Sequence, residues 1–153
     1  MADSNYWLTK GGDLAPANPA NTALGLQVAS LEARFDDQYL TASSAVSTTS
    51  TLTTTQLINN IVPSAPGAAI TLTTPTAAAI VAIDGYNQVG RAFRFAVVNT
   101  SVTSGATVTV GAGTGITIVG SAVVAISSSA TFYAIYTNIT SGTEALTIYR
   151  LSA

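Results

Sequence analysis

The chain has no cysteine and no histidine, and a single lysine, a single tryptophan and a single methionine among its 153 residues. Without cysteine there is no disulfide, no thiolate metal site and no thiol nucleophile. A small secreted scaffold is more often stapled by such bonds. Without histidine the commonest general base, proton shuttle and metal ligand is missing. The many serines then have no imidazole partner, and a serine without a base is inert as a nucleophile. Charge is equally scarce: charged residues make up 8% of the chain, against roughly 25% in a typical domain. The net charge is −2, with no basic cluster, which argues against a nucleic-acid partner. A monomer relies on surface charge for solubility. So little of it implies that much of the surface is covered by copies of the chain or by a partner.

Disorder is excluded by the hydrophobic share of 48%, since disordered chains combine low hydrophobicity with high net charge. No apolar run approaches the roughly 20 residues needed to cross a bilayer; the run Ala77 to Ile83 is far too short. The N-terminus lacks the basic, apolar, small-residue order of a signal peptide. No membrane is expected as a partner. The polar surface is built instead from Thr, Ser and Asn, and threonine, being β-branched, fits a pleated surface.

Seven of the twelve charged residues fall in the first 37 positions, and none lies between Gln38 and Ile83. This shift marks a boundary near residue 40 and divides the chain into 1–21, 22–39 and 40–153. The first part, which includes "SNYWLTKGGDLAPANPAN", has no hydrophobic period and reads as neither a good helix nor a good strand. Gly11, Gly12, Pro16 and Pro19 break regular structure. As an extended arm it would reach about 70 Å. Tyr6, Trp7 and Leu8 form a compact apolar cluster of the kind that anchors interfaces, with Lys10 beside it. These four are candidate docking residues; the alternative is a tail whose Trp7 packs on its own domain.

In the second part Asn21 or Thr22 can cap a helix. Leu24, Val28, Leu31 and Phe35 follow at steps of 4, 3 and 4, the spacing of a coiled-coil seam. Two heptads are marginal on their own, so a seam would need chains already held together elsewhere. A single amphipathic helix packed on the domain fits the same pattern.

The third part reads as β. A Ser/Thr-rich lead opens into an expected strand over Thr51 to Ile58, followed by "AAITLTT" with Ile70 and Leu72 alternating with threonines. "PTAAAIVAIDG" predicts a short helix capped by Thr74, with Pro75 at its first position and Asp84-Gly85 at its end. "RAFRFAVVNT" places Phe93, Phe95 and Val97 on one strand face, with Arg94, Ala96 and Val98 on the other. "ATVTV" and "GITIV" are separated by "GAGT", a hairpin-like turn. "AVVAI", "TFYAIYT" and "ALTIYRL" complete the strands. In "TFYAIYT" both faces are apolar, so Phe132, Tyr133, Ile135 and Tyr136 are expected to be covered on both sides, by a sandwich interior and by a subunit contact. Short strands at regular spacing indicate a β-sandwich or barrel, and the strand "ALTIYRLSA" would tie down the C-terminal end.

Chemistry is hard to find. Past residue 40 the only carboxylates are Asp84 and Glu144. They read as a helix-ending residue and a loop residue rather than a glycosidase-like pair. Asp36 and Asp37 read as a solvated helix end. "GAGTGITIVG" has the glycines of a phosphate loop but continues as strand where that motif needs a helix. Asn99 and Asn138 begin N-x-S/T triplets, which a threonine-rich chain contains by chance. Arg91, Arg94 and Arg150, the basic residues of this part, are expected at a sheet edge or subunit boundary, with Asp84 and Glu144 as candidate partners. No catalytic residue, cofactor, metal or small-molecule substrate is expected, and the chain reads as a non-enzyme.

At "ITLTTPTAAAIVAI", "VGRAFRFAVVNTS", "VTVGAGTGITIVGS" and "LTIYRLS", in that order, the chain resembles a family of tailed-bacteriophage virion proteins, the capsid decoration (cement or head-fibre) proteins; related modules occur at the ends of phage fibres. The resemblance covers residues 51–153. It implies a jelly-roll-like β-sandwich that trimerises about a threefold axis. It also implies an N-terminal extension that attaches to the major capsid protein on the outer surface of the virion. Arg91 to Val97 match the family's core strand and Tyr149 to Ser152 its terminal strand. The arm lies outside the resemblance. A trimer would satisfy the demand for a partner and bring three copies of the helix together. The second reading is a tail-fibre or receptor-binding tip that contacts the host surface.

Overall fold

The computed structural model describes residues 6–8, 14–16, 40–85 and 87–151. The chain divides into two compact units, residues 1–38 and 39–153. In the first, β1 (Tyr6–Leu8) and β2 (Leu14–Pro16) pair antiparallel, with Tyr6 opposite Pro16 and Leu8 opposite Leu14. This corrects the reading of the stretch as unable to form strand. The aromatic pair favours extended pairing, and Pro16 occupies the last rung, where a missing N–H is tolerated. The ladder sets Tyr6–Leu8 alongside Leu14–Pro16; the rest of the 1–21 arm lies outside the described residues. Lys10, the proposed seam Leu24, Val28, Leu31 and Phe35, and Asp36 and Asp37 lie outside the described residues.

The second unit is mainly β, two sheets with two short helices. Its elements are β3 (Thr41–Ala42), β4 (Ser50–Thr51), α1 (Thr54–Leu57), β5 (Asn60–Ser64), β6 (Ile70–Thr73), α2 (Ala77–Ile83), β7 (Ala92–Asn99), β8 (Val108–Gly111), β9 (Ile116–Val119), β10 (Val123–Val124), β11 (Ser128–Asn138) and β12 (Ala145–Arg150). A six-stranded sheet has the order β3-β5-β7-β11-β12-β9, and a four-stranded sheet the order β10-β8-β6-β4. From β3 to β11 the chain changes sheet after every strand. Such winding returns the next strand to a sheet in the same direction. Four ladders made this way, β3–β5, β5–β7, β4–β6 and β6–β8, are parallel, as is β9–β12, while β8–β10, β7–β11 and β11–β12 are antiparallel. Strand direction therefore departs from the antiparallel weave of a jelly roll, while the two-sheet arrangement is that of a sandwich.

The core lies between the sheets. Inward residues of the long strands alternate with outward ones, as β pleating dictates: Phe93, Phe95 and Val97 of β7, Phe132, Ala134 and Tyr136 of β11, and Leu146 and Ile148 of β12 are all buried. Phe95 and Phe132 are directly opposed and stack at 5.0 Å between centroids. Leu72, Val108, Val110 and Val124 answer from the smaller sheet, and Leu57 and Ile80 close the core from the helices.

Three local expectations are corrected. The strand expected over Thr51 to Ile58 is only Ser50–Thr51, and a helical turn follows. Thr53 is its N-cap: its hydroxyl accepts from the Gln56 N–H, while the Gln56 side chain accepts from the Thr53 N–H at 2.9 Å. This reciprocal box outweighs the β preference of a threonine run, and Asn59 at φ 53° then turns the chain into β5. The second helix is capped by Thr76 rather than Thr74, its hydroxyl accepting from the Ala79 N–H at 3.2 Å. Thr74 is buried, and its hydroxyl accepts from the Gly113 N–H at 2.8 Å. Finally, "GAGT" is not a hairpin: β8 belongs to the small sheet, and β9 pairs parallel with β12 at the edge of the large one.

Candidate functional surface

The residues that could carry chemistry have structural roles. Asp84 ends α2, and its carboxylate accepts the hydroxyl hydrogen of buried Tyr136. Glu144 sits in the β11–β12 loop and accepts from the Gly142 N–H at 3.0 Å. Both match their sequence readings as helix-ending and loop residues. Arg150, at the end of β12, donates from Nη1 to the carbonyls of Ser121 and Val123, so it grips the corner where the chain passes from β9 to β10. Asn99 is 1% exposed. Its amide donates to the Ala106 carbonyl at 2.8 Å, and its Oδ1 accepts from the Ser101 N–H at 3.1 Å. It therefore links β7 of the large sheet to the segment entering β8 of the small one, and it is not a surface glycosylation acceptor. Among the described residues there is no group of three or more His, Cys, Asp or Glu placed to hold a metal ion, and no helix long and apolar enough to cross a membrane.

The glycines of "GAGTG" serve close packing. A Cβ at Gly113 would stand 2.5 Å from the carbonyl oxygens of Thr74 and Pro75. One at Gly115, where φ is +78°, would stand 2.6 Å from the Glu144 carbonyl oxygen. The loop is thus held against the start of α2 and the start of β12. No cradle of backbone N–H groups opens into a helix behind it, because β9 follows directly.

The outer face of the six-stranded sheet mixes apolar side chains with Thr, Ser and one Arg. The four residues expected to be covered on two sides divide as the pleat requires. Phe132 and Tyr136 point into the core and are 0% and 1% exposed, whereas Tyr133 and Ile135 point outward and are partly exposed. Cross-strand register places Arg94, Tyr133, Tyr149 and Val119 in one row across β7, β11, β12 and β9. Ala92, Ile135, Thr147 and Thr117 form the next row. On the other side Ala96 stands opposite Thr131 and beside Ile61, and Val98 stands opposite Ser129 and beside Pro63. Arg94 is the one charged residue in these rows. Of the row members, the sequence reading had singled out Tyr133 and Ile135 as contact residues. Tyr149 and Val119 escaped it, because nothing local says that β9 adds to β12 in parallel.

The loops at the strand ends carry no aromatic side chain over 99–106 or 138–144, and much of their polarity is used internally. Thr140 N–H donates to the Asn138 side chain at 2.9 Å, the Thr143 hydroxyl donates to the Thr140 carbonyl, and Ser127 N–H donates to the Ser101 carbonyl. Val102, at 83% exposure, is the most exposed large apolar residue described. No protein-family model, no curated protein and no solved structure matches the chain.

Proposed function

We propose that the chain is a structural virion protein that binds the outside of a bacteriophage capsid as a homotrimer and stabilises the shell, with its first 21 residues docking on the major capsid protein through Tyr6, Trp7, Leu8 and Lys10. The observation that carries this reading is the outward face of β11, where Tyr133 and Ile135 stand between Ser129, Thr131 and Thr137 in a chain with 8% charge. One face fills the core, and Tyr133 and Ile135 on the other give a partner apolar side chains to cover. The ordered phrases that resemble the decoration proteins supply the setting. Of the family's jelly-roll fold, this reading takes the two packed sheets and not the strand direction.

The stabilisation is mass action: a ligand that binds assembled shell and not free coat subunits favours assembled shell. Three arms on one trimer bind with an avidity that one arm lacks. The receptor-tip reading fits less well, because loops free of aromatics offer little for gripping glycan or protein. The proposal is tested by deleting residues 1–21. Residues 39–153 form a unit of their own, so the truncated protein is expected to keep its β circular-dichroism spectrum and its trimer mass. Its sedimentation with purified capsids is expected to be lost. Capsid binding at full strength by the truncated protein overturns the assignment of the arm.

A further inference from the structure

We propose that Asp84-Gly85, in the link from α2 to β7, is a latent isoaspartate site. The fold keeps it unreactive by holding both halves of Asp84, the side chain through Tyr136 and the main chain through Asn87. The proposal goes beyond the virion reading and does not rest on it. The sequence supplies the reaction: Asp84-Gly85 is the one Asp-Gly pair in the chain. In such a pair the glycine nitrogen attacks the side-chain carboxyl carbon of the aspartate. A C–N bond forms, the nitrogen loses its proton, and a carboxyl oxygen leaves as water. Water then opens the five-membered succinimide at either carbonyl. One opening restores aspartate. The other leaves isoaspartate, in which the main chain runs through the former side chain and is one carbon longer. No reactant other than water is needed. Glycine favours the attack because no side chain crowds its nitrogen and its backbone turns freely. Gly85 is exposed, and a Cβ built on it meets nothing within 4 Å.

The folded geometry opposes that attack. Ring closure needs the Gly85 nitrogen on the same side of the Cα–C bond as the Asp84 Cβ. Asp84 ends α2 with φ −73° and ψ 102°, which sets that nitrogen on the far side. To react, ψ must turn through more than a right angle, and the Asp84 carbonyl must swing with it. That carbonyl is held. The Asn87 side-chain amide donates to it at 2.6 Å and also donates to the Val81 carbonyl, and the Asn87 N–H donates to the Asp84 carbonyl at 3.3 Å. The side chain is held separately. Tyr136 of β11, only 1% exposed, donates its hydroxyl hydrogen to the Asp84 carboxylate. Side-chain and main-chain torsions are thus clamped by groups from two different segments. Reaction waits for a local opening that releases them, and its rate follows the population of the open form.

The product cannot restore the clamp. The extra main-chain carbon lengthens the link and moves the carboxylate, so the Tyr136 hydroxyl loses this acceptor inside the core, where a missing partner is costly. The tie between α2, whose Ile80 closes the core, and β11 goes with it.

The test incubates the full chain at physiological pH and temperature. Samples are digested with an endoproteinase that cleaves before aspartate and not before isoaspartate, and the succinimide is read by mass as the loss of one water. A peptide of residues 80–90 is the unclamped reference. Isoaspartate at position 84 is expected to form at least about tenfold more slowly in the folded chain than in the peptide. Tyr136→Phe and Asn87→Ala are each expected to speed it by about three- to tenfold, the shift in opening that one lost hydrogen bond gives. Asn87 lies in a half-buried connection outside the core, so its variant keeps the test decisive if Tyr136→Phe loses its β spectrum. Gly85→Ala is expected to suppress the product. Asn99→Ala, at the other end of β7, is expected to leave the rate unchanged, which separates a local clamp from a general loss of stability. Equal rates in chain and peptide overturn the proposal, as does a peptide that forms no isoaspartate. Clamp variants that react at the wild-type rate, or no faster than Asn99→Ala, overturn it as well. None of these outcomes bears on attachment to a capsid.

Discussion

Single residues of this chain do work that their types do not announce. Asn99 looks like a strand-ending polar residue, yet it is buried and ties two sheets together through the Ala106 carbonyl. Asn99→Ala would leave that carbonyl and the Ser101 N–H without their partner. A loss of about 1–3 kcal/mol is expected for an unsatisfied buried group, read as a lower urea midpoint with an unchanged slope. Two glycines make a cleaner comparison. Gly105 and Gly115 have nearly the same φ, +80° and +78°. A Cβ at Gly105 meets nothing within 4 Å, whereas one at Gly115 meets the Glu144 carbonyl oxygen at 2.6 Å and the Ala77 Cβ at 2.8 Å. Gly105→Ala should therefore cost only the left-handed conformation, about 1–2 kcal/mol. Gly115→Ala should cost that and a steric term that backbone must move to relieve. Equal thermal shifts for the two variants would show that the loop does not pack as closely as described.

At the scale of elements, what was legible depended on whether the signal was local. β7, β11 and β12 were readable because period-2 alternation over six or more residues has few competing explanations. The sequence marked Phe132, Tyr133, Ile135 and Tyr136 as one set, and only the pleat of the folded strand shows that Tyr133 and Ile135 are the outward pair. α1 was misread because its threonines favour strand, while the deciding pair, Thr53 and Gln56, act through a capping box three residues wide. Thr53→Ala is expected to remove the half in which the Thr53 hydroxyl accepts from the Gln56 N–H, leaving the backbone N–H of residue 53 to the Gln56 side chain, and to cost about 1 kcal/mol. Hydrogen exchange should accelerate at the Gln56 and Leu57 amides, both of which bond to Thr53; an unchanged rate there would show that packing of Leu57 alone holds the turn. The "GAGT" connection was misread for a different reason. Glycines between two short β runs do signal a hairpin, but pairing is decided by which edge is open, and here β12 and β6 offered the edges. The outer-face row was invisible for the same cause: Arg94, Tyr133, Tyr149 and Val119 come from four strands, and their alignment is a property of register.

At the scale of the whole molecule, alternation between sheets makes nearly every strand pairing non-local. Such topologies fold slowly, because loop closure precedes the contacts that reward it, and they leave apolar faces exposed meanwhile. A chain with so little charge resists aggregation poorly unless its surface is covered quickly, as the proposed homotrimer would do. The same assembly would gather three N-terminal segments on one body, each carrying the Tyr6–Leu8 strand, and would turn a weak individual grip into stable attachment to a repeating lattice. The most direct test of this account is the number of copies per virion, measured by quantitative mass spectrometry against the major capsid protein. Decoration of the shell predicts a copy number comparable to that of the coat protein. A copy number that is a small fraction of it would contradict the account and place the protein on the tail or at a unique vertex, with the β unit facing the host.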